Sequence, residues 1–549
     1  MKKPVSKDIF DGSDFPISDV RMGVFQGTGA DLEEAKVKPI IAIVNSHTEI
    51  NPGHAHLANL AMRVREGVFA AGGIPFEFNV PAPCDGISEG HPGMKFILPQ
   101  RDLIADMVEI HVRSMRFDGM VMIASCDKII PGMLMAAARL DLPTVFLTGG
   151  PSEMVLRQRK TSCSSVNFPD HSDPADQMGC LTSGSCGACE IIGTANTFQC
   201  IAEALGMTLP GSANIPGYTA DKARVARACG RQIVKNVQEG LTARQIMTKE
   251  SLINALLLVQ AVGGSTNTAL HLPAIARELG LELTLEEFNV AAKKVPTLCA
   301  IAPNGPYGVL DLYRSGGVPG VLKRIAEDLD LNCGNTFGGT LQDVVANAQI
   351  TDENVIPERS NCHYPEGGLV ALFGNLAPEG SVVKQSAVDP NMYKFSGPAR
   401  IFESEHACLE AIRNKTIQEG EVVVIRNEGP KGGPGMPETL AVTIGLKLLG
   451  LQRVALITDG RFSGATSGPC VGHVSPEAAD GGPIAALDDG DIIRIDIPSR
   501  AIAVELSDEA LKERLASRKP SPHAPVDGYM QRYVSTVTSA AKGAVLEKP

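Results

Sequence analysis

Short apolar runs alternate with longer amphipathic stretches over the first 150 residues. Lys38 to Ser46, Ile74 to Val80, Gly119 to Ala124 and Pro143 to Leu147 read as buried strands. Between them, about His56 to Ala71 and about Gln100 to Arg116 carry apolar positions at helical spacing, the first closed by Gly72-Gly73, and Met133 to Leu140 favours helix. This alternation predicts βαβ units, hence a mostly parallel sheet with right-handed crossovers. From Gly149 to about Gly184 the pattern weakens into Ser, Asp, Pro and Cys, which predicts a surface excursion. A glycine-rich loop, Ser183 to Thr197, then opens a helix reaching about Leu205. Residues 220 to 330 read as helical, broken at Gly263-Gly264-Ser265-Thr266-Asn267 by a turn or a substrate-facing loop.

Near Gly367 to Asn375 the texture changes to short strands and turns, as in Glu421 to Arg426, Val454 to Thr458, Asp491 to Asp496 and Ala501 to Glu505. The expected fold class is therefore α/β, with an N-terminal doubly wound, mostly parallel sheet domain and a β-rich C-terminal domain. The division falls at 370 to 390, written as domains 1–375 and 376–549, and the last fifteen or so residues read as a loosely held tail.

Composition narrows the function. A 44% hydrophobic, 20% charged chain of 549 residues is globular, and a net charge of −12 without long basic runs disfavours nucleic acid as a partner. The lysines at the N-terminus are followed by no apolar region, and no window reaches 18 uninterrupted apolar residues, so neither a secretory signal nor a membrane span is expected. Thirteen cysteines without a signal suggest thiols or a metal centre rather than a disulfide framework, and a cytoplasmic location.

The densest chemistry lies in Ser125-Cys126-Asp127-Lys128, between an apolar strand and a helix. Such strand-to-helix turns are where open α/β sheets collect ligands. The previous strand delivers Cys84-Asp85, so both turns are expected to face one crevice. Cys200, Cys229, Cys299 and Cys408 lie in apolar segments and read as small buried hydrophobes. Cys126 and Cys189 instead lie on glycine- or proline-flanked loops near carboxylates. Cys186 and Cys189 have Cys-x-x-Cys spacing, which alone is compatible with redox, zinc or iron–sulfur roles. A structural zinc site is disfavoured because only one such pair exists. An iron–sulfur cluster with fewer than four thiolates would leave an iron open as a Lewis acid. Asp85, Asp127 and Glu438 are single loop acids, ordinarily caps or solvated groups, but hard oxygens beside soft thiolates suit Mg²⁺ next to iron. Thr458 to Pro469 and Glu428 to Glu438 are glycine-rich backbone able to approach an anion or ligand closely. No Gly-x-Ser-x-Gly elbow occurs in the first of these loops, so hydrolase chemistry has little support.

Taken together, several segments resemble the dihydroxy-acid dehydratase/6-phosphogluconate dehydratase family: Asn51-Pro52-Gly53-His54, Cys84-Asp85-Gly86, Cys126-Asp127-Lys128 with Pro131-Gly132-Met133, Cys189 before Gly193-Thr194-Ala195-Asn196, Gly263 to Asn267, Gly374-Asn375-Leu376-Ala377-Pro378, Gly429 to Glu438, and Thr458-Asp459-Gly460-Arg461-Phe462-Ser463-Gly464. They run in family order from about residue 38 to 505. The resemblance implies a β-barrel-like C-terminal domain and an active site between domains or subunits of a homodimer or homotetramer. It implies that Cys126 and Cys189 ligate an iron–sulfur cluster, that Asp85, Asp127, Glu438 and an N-carboxylated Lys128 hold Mg²⁺, and that Ser463 is the base. Members with a [2Fe–2S] cluster carry a further cysteine where this chain has Gly53. Either Cys84 supplies the third thiolate, or the centre is an oxygen-sensitive [4Fe–4S] cluster. Arg21 to Gly29 also departs from the branched-chain enzymes.

The expected reaction is dehydration of a 2,3-dihydroxy acid to a 2-keto acid, closest to the dihydroxy-acid dehydratase of valine and isoleucine biosynthesis. Its first rival is the same chemistry on an aldonate or phosphogluconate. A redox-sensing or electron-transfer iron–sulfur protein is the rival from another class, and it would need neither Mg²⁺ nor Ser463.

Overall fold

The computed structural model describes residues 5–156, 181–463, 468–518 and 526–547. Its first layer is a four-stranded parallel sheet made of β1 (Ile40–Asn45), β2 (Ile74–Asn79), β3 (Gly119–Ala124) and β4 (Thr144–Thr148), in the order β2-β1-β3-β4. β1, β3 and β4 are buried throughout, as parallel strands covered on both faces must be. Alternate residues serve opposite layers. Ile41, Ile43, Val121, Ile123, Val145 and Leu147 pack under helices Leu57–Ala70 and Ala220–Glu239, whereas Ala42, Val44, Met120, Met122 and Phe146 face helices Gln100–Met115 and Ile129–Leu140. The sheet is thus doubly wound, and its order reverses between β1 and β3. The first helix pair touches backbone to backbone, since a Cβ on Gly67 would come within 2.2 Å of the Arg227 carbonyl and one on Gly230 within 2.1 Å of the Val64 carbonyl.

A short antiparallel pair, β5 (Met154–Leu156) and β6 (Leu181–Ser183), follows. Most of the expected surface excursion, 157–180, lies outside the described residues, as do 464–467 of the glycine-rich loop after Thr458. Helices Thr194–Ala204, Lys249–Val262 and Thr268–Leu279 complete the N-terminal core, and Cys200, Cys229, Cys299 and Cys408 are all buried.

The β-rich part closes into an eight-stranded barrel. Its strands are β7 (Leu369–Gly374), β8 (Ala377–Lys384), β9 (Lys394–Phe402), β10 (Val422–Ile425), β12 (Ala455–Thr458), β14 (Cys470–Ser475), β15 (Ile492–Asp496) and β16 (Ala501–Val504), with order β10-β12-β14-β8-β7-β16-β15-β9. Val370, Leu372, Val424, Ile457, Val471 and Ile493 fill its interior. β7 lies ahead of the division at 375/376 yet is already a barrel strand, and its outward Leu369 and Ala371 belong to the N-terminal core, so the two cores share a wall. Two strand-like segments, β11 (Glu438–Thr439) and β13 (Arg461–Phe462), pair parallel outside the barrel.

The C-terminal segment differs from the expected loose tail. Helix Gly528–Thr536 is followed by a bridge between Val537 and Leu546, and Tyr533, Val537, Ala540 and Ala544 are buried against Leu98, Leu270 and Met436. Small alanines and a polar composition hide this packing from a hydropathy pattern, because it buries backbone as much as side chain. Among the described residues no helix is long and apolar enough to cross a membrane.

Candidate active site

The Cys126-Asp127-Lys128 turn emerges at the switch point between β1 and β3, where the Ser46 hydroxyl donates to the Ile123 carbonyl at 2.7 Å and ties the two strand ends. Lys128 has φ of 64° and caps helix Ile129–Leu140, an unfavourable left-handed conformation for a side-chain-bearing residue. The Asp127 Oδ1 oxygen accepts the Lys128 N–H at 2.7 Å and stabilises the turn. Lys128, fully buried, directs its Nζ to Asp127 Oδ2 at 2.7 Å, Asp85 Oδ2 at 2.5 Å and Glu438 Oε1 at 3.1 Å. Asp85 opens the short helix Asp85–Ser88 after β2 and Glu438 comes from β11, so the two turns expected to face one crevice meet here, joined by a carboxylate 310 positions downstream of Lys128.

A second layer orients these acids. Asn267 Nδ2 donates to Asp127 Oδ2 at 3.0 Å, to Glu438 Oε1 at 2.5 Å and to Thr194 Oγ1 at 3.0 Å. Arg461 reaches Glu438 Oε1 at 2.5 Å and the Met436 carbonyl at 2.6 Å. His271 Nε2 lies 3.2 Å from Asp127 Oδ1. Burial opposes ionisation of Asp127, but Lys128 and then His271 outweigh it and hold the carboxyl well below its ordinary range. Glu438 is lowered likewise, Lys128 and Arg461 overcoming burial. Burial raises Asp85 to about 7, partly offset by Lys128 and reinforced by Asp127 and Glu438. For Lys128, burial and Arg461 work against the charge, yet the three carboxylates keep its ammonium above the usual lysine range. Burial drives His271 down to about 4, which leaves its ring neutral.

These residues suit a hard cation. One oxygen from each of Asp85, Asp127 and Glu438 lies within 4.8 Å of the others. Asp85 Oδ1 and Asn267 Oδ1 are buried with no hydrogen-bond partner among the described residues, which leaves Asp85 with an unused lone-pair donor in the triad.

The thiols adjoin it. Cys84 caps the short helix Asp85–Ser88 and is half-buried like Cys126, while Cys189 is exposed. Burial raises the Cys126 thiol well above its ordinary value, and the neighbouring Cys84 and Cys189 raise it further; the Cys189 residue is exposed as a whole, but its surroundings still desolvate the thiol and raise it, with Cys84 adding to the rise. The three thiols are therefore neighbours, and a shared cation would favour their thiolate forms. Burial raises the Cys186 thiol as well. The Cys126 N–H donates to His54 Nε2 at 3.1 Å, and His54 Nδ1 donates to the Ser46 carbonyl at 2.8 Å. Asn196 Nδ2 donates to the carbonyls of Cys189 and Ile191, which fixes the Cys189 loop.

Ser463 follows β13, half-buried, its N–H donating to the Thr439 carbonyl at 3.2 Å next to Glu438. A cleft of about 500 Å³ opens beside Glu438, lined also by Lys95, His91, Glu405, Glu428 and Met530. Sequence reasoning found the Gly263–Asn267 turn but not that Asn267 bridges two acids. It missed His271, one helical turn later, and Arg101, whose sequence neighbours carry no signal of a site.

Two family descriptions match the chain. Residues 38–344 match the dihydroxy-acid/6-phosphogluconate dehydratase N-terminal domain and residues 354–544 the C-terminal domain of the same family. Curated relatives named dihydroxy-acid dehydratase include one from Methanoregula boonei, 47% identical over 92% of this chain and 94% of its own length. Another, from Caldanaerobacter subterraneus subsp. tengcongensis, is 47% identical over 94% of this chain and 95% of its own. A third, from Methanothermobacter thermautotrophicus, is 48% identical over 93% and 94% respectively.

Proposed function

We propose that this chain, which belongs to the dihydroxy-acid/6-phosphogluconate dehydratase family and is a hydro-lyase, converts a 2,3-dihydroxy carboxylic acid to a 2-keto acid in the manner of dihydroxy-acid dehydratase. The observation that carries this reading is the adjacency of two unlike donor sets: the triad of half-buried Asp85 with buried Asp127 and Glu438, Asp85 Oδ1 having no hydrogen-bond partner among the described residues, and the neighbouring thiols of Cys84, Cys126 and Cys189.

Asp85, Asp127, Glu438 and an N-carboxylated Lys128 would hold Mg²⁺, and Cys84, Cys126 and Cys189 an iron–sulfur cluster, of the [4Fe–4S] type in keeping with Gly53. When bound, these groups supply a Lewis acid for the developing enolate and another for the departing C3 hydroxyl. Carboxylation would turn the Lys128 ammonium, now among three acids, into an oxygen donor. Ser463, as its alkoxide, would take the proton from C2. A serine is a weak base unless positive charge stabilises its anion, and the buried Arg461 guanidinium lies two residues before it, its Nη2 without a hydrogen-bond partner among the described residues. As the C2 proton moves to Ser463 Oγ, the C2–H electron pair forms the C2–C3 double bond, and the C3 hydroxyl leaves with the electrons of its bond. The enol then tautomerises to the keto acid.

The cleft bears on the substrate. Glu405, Glu428, Glu438 and Asp527 line it, with Lys95 as its one lysine or arginine among the described residues. Phosphate recognition needs converging cations, so an unphosphorylated dihydroxy acid fits better than phosphogluconate. Anaerobic assay of keto-acid formation from 2,3-dihydroxy-3-methylbutanoate against a panel of aldonates tests the reading. Turnover of the branched acid is expected, and no turnover of any substrate would overturn it.

A further inference from the structure

Asp127 uses its two oxygens differently. Oδ2 faces Lys128 Nζ and Asn267, whereas Oδ1 points away and takes the Lys128 N–H and His271. Behind His271 stands Arg101, fully buried, whose Nη1 lies 3.1 Å from His271 Nδ1. A guanidinium can only donate, so Nδ1 must be the acceptor and the ring proton must sit on Nε2, which then donates to Asp127. The edge of the Phe198–His271 pair, with centroids 5.2 Å apart and planes at 77°, fixes the ring's plane.

Arg101 is itself clamped. Its Nη2 donates to the Ala544 carbonyl at 2.8 Å and to Asp102 Oδ2 at 3.0 Å, and Asp102 Oδ1 accepts the Leu546 N–H at 3.3 Å. Gly132, on the helix that Lys128 caps, lies so close that a Cβ there would come within 2.5 Å of the Arg101 carbonyl, which fixes Arg101 relative to the Asp127 turn.

We propose that Arg101 and His271 are positioning residues, a relay anchored on the Ala544 carbonyl that fixes the orientation of Asp127 and thereby sets the affinity of the acidic triad for a divalent cation. The proposal rests on the reading of Asp127 as a metal ligand. Supporting groups of this kind change metal affinity by about 10–100-fold when removed.

Mn²⁺ binding to the purified enzyme, followed by electron paramagnetic resonance, tests the relay without measuring turnover. His271→Gln keeps a donor at the reach of Nε2 and should bind Mn²⁺ within about threefold of the parent. His271→Asn keeps the acceptor for Arg101 but cannot reach Asp127, and should bind about 10–100-fold more weakly, as should Arg101→Met. Deleting residues from 544 onward should also weaken binding, but should add little to His271→Asn, since both cut one chain of contacts. Thermal melts of each variant establish that it is folded. Asp127→Asn separates the two levels of the argument: if it leaves Mn²⁺ affinity unchanged, the ligand reading fails. If Asp127→Asn weakens binding while His271→Asn and Arg101→Met match the parent, the relay alone is overturned.

Discussion

Gly53 abuts the Cys126 thiol: a Cβ at position 53 would stand 2.4 Å from Cys126 Sγ and 3.2 Å from Asn51 Oδ1. The Cys126 backbone is pinned by His54, so the thiol would have to swing away from any added side chain. Gly53→Ala should therefore lower iron content and visible absorption to less than about half while Mn²⁺ binding persists, because the steric effect is confined to the thiol side. Full iron occupancy in this variant would refute the assignment of Cys126 to the cluster.

Ser463→Ala should reduce turnover by about 10²–10⁴-fold, the usual contribution of a positioned base, and leave the visible absorption intact. Rapid anaerobic kinetics beside the absorption spectrum checks it, and an active variant would exclude Ser463 as the base.

Lys128→Met would leave Asp85, Asp127 and Glu438 facing one another, with Arg461, paired to Glu438, as the one lysine or arginine bridged to them among the described residues. Removing one partner of a buried ion pair costs about 3–5 kcal/mol, so the metal-free variant should melt well below the parent. Added Mg²⁺ should raise its melting temperature more than it raises the parent's. Equal melting temperatures without metal would show that the Lys128 ammonium does not balance the three acids.

Lys222 offers a test of pH dependence away from the acids. It is fully buried, donates to Thr148 Oγ1 at 3.2 Å and to the Ser212 carbonyl at 2.8 Å, and burial lowers it to about 7 from 10.5. Between those values the unfolded chain binds the proton that the folded chain has lost, so stability rises with pH there by up to about 1.4 kcal/mol per unit. The parent should gain stability relative to Lys222→Met as pH rises from 7 towards 10. A difference independent of pH would show that Lys222 stays charged when folded.

Much of this was legible because period and punctuation were strong. The strands at Ile40, Gly119 and Thr144 stood out because strands buried on both faces are continuously apolar, whereas the edge strand at Ile74 alternates apolar and exposed positions; the Cys84-Asp85 and Cys126-Asp127-Lys128 turns were readable because each follows a strand. The motif at Gly263 to Asn267 was visible, but the bond from Asn267 to Glu438 spans 171 positions and no local pattern encodes it. Arg101 sits in an ordinary amphipathic helix, and only the packing of Gly132 and Ala544 around it turns a typically exposed cation into a buried one. The C-terminal segment misled for a related reason, since its contacts run through carbonyls and alanines.

The bond from Arg101 to the Ala544 carbonyl joins positions 443 apart. During synthesis the sheet, the thiols and most of the acidic pocket can form long before residue 544 is made, but until then Arg101 lacks its acceptor and Asp127 its final support. If these acids and thiols hold a cofactor as proposed, a nascent chain stalled before residue 544 would carry their side chains without the contact that steadies Arg101, and loading would follow synthesis rather than accompany it.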